Sequence, residues 1–66
     1  MKRKITIEGM SCMHCVAHVK EALEEIGAKN VEVSLETGIA IAETEKSDEE
    51  IRAAIEDAGY EVKSIE

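Results

Sequence analysis

Sixty-six residues leave room for one small core, burying roughly 60% of the surface that the unfolded chain exposes. The apolar share is 44%, mostly Ile, Val, Leu and Ala with one Tyr and no Phe or Trp, too few large side chains to wall the deep pocket typical of an enzyme. The net charge of −7 excludes a nucleic-acid binder, because nothing beyond the short cluster Lys2-Arg3-Lys4 could displace counterions from a phosphate backbone.

In chain order, Ile5 and Ile7 alternate with Lys4, Thr6 and Glu8, the period of a half-buried strand over residues 2–8 that Gly9 ends. From about His14 to Ile26 the period becomes helical. Val16, Val19, Leu23 and Ile26 form the apolar stripe, Lys20, Glu21, Glu24 and Glu25 lie outside it, and Gly27 is placed for a left-handed cap. Val31, Val33 and Leu35 then alternate with Glu32, Ser34 and Glu36, and Glu36-Thr37-Gly38 turns into the strand Ile39–Glu43. Ser47 with Glu50 three residues on is a capping box; Ile51, Ala54, Ile55 and Ala58 form the buried stripe that follows, and Gly59 stops it. Tyr60, Val62 and Ser64 alternate with Glu61 and Lys63 as a last strand.

This order is two split strand-helix-strand units, an α+β chain read as a single domain over residues 1–66. Right-handed crossovers put both helices on one face of a four-stranded antiparallel sheet. The uncovered face is assigned Thr6, Glu32, Ser34, Ala40, Ala42, Glu61 and Lys63, which are polar or small. No apolar run approaches the roughly 18 residues that span a bilayer, and the start lacks the apolar segment of a signal peptide, so the expected location is the cytosol with no membrane insertion.

The chemistry is concentrated between Gly9 and Val19, which hold both cysteines, both histidines and two of the three methionines. In a reducing cytosol, Cys12 and Cys15 at Cys-x-x-Cys spacing point to metal ligands or a redox pair rather than a structural bridge. Cys12 falls in the loop before the first helix and Cys15 on its first turn, so their sulfurs can converge where the helix N-terminus favours thiolates. Two thiolates suit Cu(I), which accepts two ligands, whereas Zn²⁺ prefers four. Cys15 falls near the apolar stripe, so Cys12 is expected to be the more exposed sulfur, open to an incoming thiolate while Cys15 holds on.

Gly9-Met10-Ser11-Cys12-Met13-His14-Cys15, together with Gly59-Tyr60 after the second helix, resembles the bacterial CopZ-type copper chaperones and, more widely, the heavy-metal-associated domain family. The resemblance covers essentially the whole chain. It implies a ferredoxin-like βαββαβ fold without an iron–sulfur cluster, Cu(I) bound by Cys12 and Cys15, and delivery to the metal-binding domain of a copper-transporting P-type ATPase. Ser11, where zinc and cadmium carriers often have an acid, favours copper. The turn Ile26-Gly27-Ala28-Lys29-Asn30 departs from the family's Leu-Pro-Gly, implying a changed turn rather than a changed metal.

The neighbours carry plainer readings beside functional ones. Met10 is an anchor filling a gap in the core, Met13 is an exposed loop tip that either greets a partner or stands idle, and His18 is a surface residue. His14 is a solvated loop residue, with a part in sharing metal between two molecules as its alternative. For Tyr60, a core residue and a cover for the metal loop both stay open. Competing functions are a thiol–disulfide redox protein, disfavoured because a chain without proline has no cis-proline loop; a carrier or scavenger of silver, mercury or zinc; and a structural Zn²⁺ site of Cys12, His14, Cys15 and His18. A copper-bridged homodimer through two exposed Cys12 thiolates is a further expectation. The acidic faces around Glu21, Glu24, Glu25, Glu49 and Glu50 suit a partner with a basic surface.

Overall fold

The computed structural model describes all 66 residues, in the order β1 (Lys2–Glu8), α1 (Met13–Glu25), β2 (Lys29–Ser34), β3 (Ile39–Glu43), α2 (Asp48–Asp57) and β4 (Glu61–Ile65). The strands form one antiparallel sheet in the order β2-β3-β1-β4. Val19 and Leu23 of α1 and Ile51 and Ile55 of α2 pack with Ile5, Ile7, Ala40, Ala42 and Val62 into one aliphatic core, so both helices cover the same sheet face. This is the ferredoxin-like arrangement expected from the order of elements. No helix is long and apolar enough to cross a membrane.

The helix ends follow the sequence signals. Ser47 caps α2, its hydroxyl accepting from the Glu50 N–H at 3.2 Å. The reciprocal contact ends on the Ser47 hydroxyl, which donates to Glu50 Oε1 at 3.2 Å, rather than on the Ser47 backbone N–H of the usual box. Gly27 follows α1 with φ +88°, a left-handed conformation that costs a glycine nothing. The turn without proline then buries Ala28, and Asn30 takes φ +52° at an irregularity in the β2–β3 register, its side-chain amide donating to Glu43 at 2.7 Å. Asparagine is one of the few residues that tolerates that region.

Two assignments to the sheet faces are overturned. Ala40 and Ala42 are completely buried beneath the helices, while Ile39 and Ile41, only half-buried, lie on the uncovered face. The register dictates this. Ala40 pairs with Ile5 and Val33, whereas Ile39 pairs with Thr6 and Ser34, and Ile41 with Lys4 and Glu32. Neighbours across a sheet share a face, so Ile5 and Val33 carry the alanines inward with them.

The second correction is in β4. Ile7 pairs with Val62 but Thr6 pairs with Ser64, leaving Lys63 as the extra residue of a bulge. Past the bulge the alternation inverts: Ser64 is exposed, and Ile65 lies opposite Ile5 against the core. Leu35 likewise falls in the turn rather than on β2. Glu32, Ser34, Glu61 and Lys63 are exposed as assigned.

Arg3 binds across to the other layer. Its guanidinium pairs with Asp48 at the start of α2, and its Nε donates to the Glu66 carbonyl at 3.1 Å. The start of β1, the start of α2 and the end of β4 are thereby drawn to one pole. The end of β1, the start of α1 and the end of α2 form the other.

Candidate metal centre

At that second pole β1 stops at Gly9, whose φ of +96° turns the chain out of the sheet. A side chain on Gly9 would first meet the Tyr60 ring, 3.8 Å from where a Cβ would sit. Met10 is half-buried against the core and anchors the loop, as a flexible thioether can. Cys12 occupies the N-cap position of α1 in extended conformation, φ −157° and ψ 172°, with no side-chain capping bond. Its carbonyl accepts from the N–H groups of Cys15 at 3.0 Å and Val16 at 3.3 Å, closing the first turn and bringing Cys15 back toward it.

The two sulfurs stand 3.6 Å apart, both as free thiols. Cys12 is exposed and Cys15 half-buried, the asymmetry that the helical wheel predicts. The Cys15 thiol is lowered from 9 to about 6, chiefly by the Tyr60 hydroxyl, then by the Ser11 backbone N–H and by Cys12, with burial opposing. The chief cause is thus a side chain 45 residues away in the chain. In return the Tyr60 phenol is raised from 10 to about 12, since its proton is engaged by Cys15 and a second negative charge there would face the sulfurs.

The open reading of Tyr60 resolves into both alternatives at once: its ring packs against the core and lies against Gly9, where the cysteine loop begins. His18 is exposed, yet its Nδ1 lies 3.4 Å from the Tyr60 hydroxyl, a link that the surface reading missed. No local pattern encodes it, because the pair meets only when α2 delivers Tyr60 beside α1. Met13, 67% exposed, and His14 both project into solvent. No group of three or more His, Cys, Asp or Glu side chains converges anywhere, so the four-ligand set of Cys12, His14, Cys15 and His18 is not assembled.

The acidic residues fall into two groups. Glu21 and Glu25 of α1 join Asp57 of α2 along a groove of about 280 Å³, floored by Ala22, Ala54 and Ala58 and ending at His18. Glu49 and Glu50 lie in the first turn of α2, at the pole tied by Arg3 and away from the cysteines.

Comparison with known proteins places this geometry. The model of the heavy-metal-associated domain matches residues 4–61. The copper chaperone CopZ of Enterococcus hirae is 38% identical over 69 residues, covering 98% of this chain and 100% of that protein. A mercuric reductase of Lysinibacillus sphaericus is 44% identical over 68 residues, and a probable copper-exporting P-type ATPase of Archaeoglobus fulgidus is 48% identical over 62. Those matches cover 98% and 91% of this chain, which spans only 12% of the reductase and 8% of the ATPase. Among solved structures, a CopZ metallochaperone superposes with a TM-score of 0.87 at 33% identity, covering 94% of this chain and 98% of that one.

Proposed function

From the premise that this chain belongs to the heavy-metal-associated domain family, we propose that it is a non-enzymatic copper carrier, residues 1–66 acting as one unit in the cytoplasm. Cys12 and Cys15 hold Cu(I) as a dithiolate and pass it to the metal-binding domain of a copper-transporting P-type ATPase. The observation that carries this reading is a pair of sulfurs 3.6 Å apart, Cys12 exposed and Cys15 half-buried, with no third protein ligand. A tetrahedral pair at the usual Zn–S length spans about 3.8 Å, so the spacing alone does not choose the metal. The ligand count favours Cu(I) over Zn²⁺: two thiolates satisfy Cu(I) and leave Zn²⁺ half-coordinated.

The asymmetry supplies the route of transfer. An incoming thiolate adds to copper on the exposed side, the bond to Cys12 breaks and Cys12 leaves as a thiolate, while Cys15 still holds the ion. A second incoming thiolate then displaces Cys15, so neither copper nor sulfur changes oxidation state and each bond broken is replaced by one formed. The groove carrying Glu21, Glu25 and Asp57 starts beside this loop and suits a partner with lysine or arginine on the facing surface. Glu49 and Glu50 lie outside that footprint.

The mercuric reductase relative favours one second reading, Hg²⁺ as the cargo. The experiment is an anaerobic Cu(I) titration against a competing chelator, with Zn²⁺ and Hg²⁺ arms, on the wild type, Cys12→Ser and Cys15→Ser. Tight Cu(I) binding lost in both variants, with zinc far weaker, is the expected result. Retention of Cu(I) after either substitution would overturn the dithiolate site, and mercury displacing copper at equal concentration would move the cargo to Hg²⁺. Sizing the loaded protein tells a copper-bridged homodimer from a monomer.

A further inference from the structure

One face of the sheet has no helix over it, and the pairing register lays its outward side chains in rows. Ser34, Ile39 and Thr6 form one row across β2, β3 and β1, and Glu32, Ile41 and Lys4 form the next. Each half-buried isoleucine is the centre of its row, with a hydroxyl on both sides in the first and opposite charges on its two sides in the second. We propose that this face is a self-association surface, on which a second copy of the chain packs about a two-fold axis running along β3.

The charges choose the axis. Laid along β3, it exchanges β1 with β2 across the contact, so that residue i meets residue j and j meets i. Lys4 then faces Glu32 of the second copy and Glu32 faces its Lys4, while Ile39 and Ile41 meet themselves and Thr6 meets Ser34. An axis across the strands at Ile41 fails, because it sets Lys4 on Lys4 and Glu32 on Glu32. Within one chain neither Lys4 nor Glu32 has an ion-pair partner. The strand of Ile41 separates them by two strand spacings, about 10 Å, so only another molecule can satisfy both.

Net charge opposes this face less than any other. The outward strand residues Lys2, Lys4, Lys29 and Lys63 balance Glu8, Glu32, Glu43 and Glu61, so the surplus behind the charge of −7 lies on the helices, the loops and the chain end. The row Lys29, Glu43 and Lys2 is at the end of the sheet, where lysines keep their ammonium groups in water. With the axis parallel to the strands, β1 points the same way in both copies, and both cysteine loops open at one end of the pair, clear of the contact. Such a pair needs no metal, which separates it from a copper-bridged one and makes it independent of the carrier reading. Four short strands offer roughly 300–500 Å² per copy, about half of what a stable complex buries, so the association is weak and reversible.

The test uses reduced, metal-free protein with a chelator present, followed by sedimentation equilibrium up to about 2 mM. The wild type should dimerise with a dissociation constant of roughly 0.1–1 mM. Lys4→Glu and Glu32→Lys should each weaken that by roughly tenfold or more, since each sets two like-charged pairs in the contact. Glu32→Lys also lowers the overall negative charge, so a loss there cannot come from general repulsion. The double reversal Lys4→Glu with Glu32→Lys should restore the wild-type constant, and an equal mixture of the two single variants should form a heterodimer. In a ¹H–¹⁵N dilution series, the amides that shift should centre on Thr6, Ser34, Ile39 and Ile41, with α1 and α2 unchanged. A wild type still monomeric at about 2 mM would overturn the proposal and leave the face to a different partner. A single reversal without effect, a double reversal that restores nothing, or shifts centred on the helices would overturn it too. Lys4 and Glu32 are exposed and unpaired, so these variants should fold, and loss of copper binding by either cysteine variant bears only on the carrier reading.

Discussion

The two helices begin in opposite ways, although each belongs to the same kind of strand-helix-strand unit. At α2, Ser47 accepts from the Glu50 N–H and three acids, Asp48, Glu49 and Glu50, fill the first turn, so charge and hydrogen bonds are satisfied within the chain. At α1 the N-cap position is a cysteine that makes no capping bond, and no acid follows it. The difference teaches what each start is for: one is closed for stability, and the other keeps its partial positive charge for thiolates and whatever they bind.

If only the starts differ, the anchors further along should be equivalent. Leu23 of α1 and Ile55 of α2 are both completely buried, and Leu23→Ala or Ile55→Ala should each destabilise the protein by about 2–5 kcal/mol in urea unfolding. A markedly cheaper substitution in α1 would mean that its whole helix, and not its start alone, is loosely held. At the starts the signs should oppose. Ser47→Ala should cost about 1 kcal/mol, whereas Cys12→Ser should stabilise the metal-free chain by about 0.5–1 kcal/mol, because serine is a good cap at an already extended N-cap residue. Destabilisation by Cys12→Ser would show that the open start has strain of its own.

The smallest effect is in pH. The folded Cys15 thiol at about 6 lies below its ordinary value of 9, so the thiolate contributes its full stability above about pH 9. That contribution is lost progressively as pH falls toward 6. Tyr60→Phe removes the chief cause, so the metal-free variant should show a flatter stability profile over this window and a Cys15 alkylation midpoint moved upward. A midpoint that stays at about 6 would transfer the credit from Tyr60 to the backbone of the loop.

How much of this the sequence disclosed depended on range. Signals acting within a few residues were legible: the alternation of β1, the box at Ser47, the stops at Gly27 and Gly59, and the unequal exposure of Cys12 and Cys15. Signals that depend on pairing were not. Ile39-Ala40-Ile41-Ala42 reads by hydrophobicity with the isoleucines inward, yet pairing with Ile5 and Val33 turns the alanines in. The extra residue at Lys63 is invisible until β4 lies against β1, and from there every side chain changes face. The meeting of His18 with Tyr60 joins the two halves of the chain, so neither half alone contains it.

The pole tied by Arg3 carries one last implication. The Met1 amino group lies 3.3 Å from the Thr44 carbonyl, and Glu66 exchanges backbone hydrogen bonds with Lys4, so both ends of the chain are pinned where the cysteines are not. Polypeptide joined at either end would leave from that side, with the cysteine loop facing clear water. Such a unit can be threaded one after another like beads or spliced onto a far larger enzyme or pump without being redesigned, and its likenesses within a reductase and an ATPase have that form.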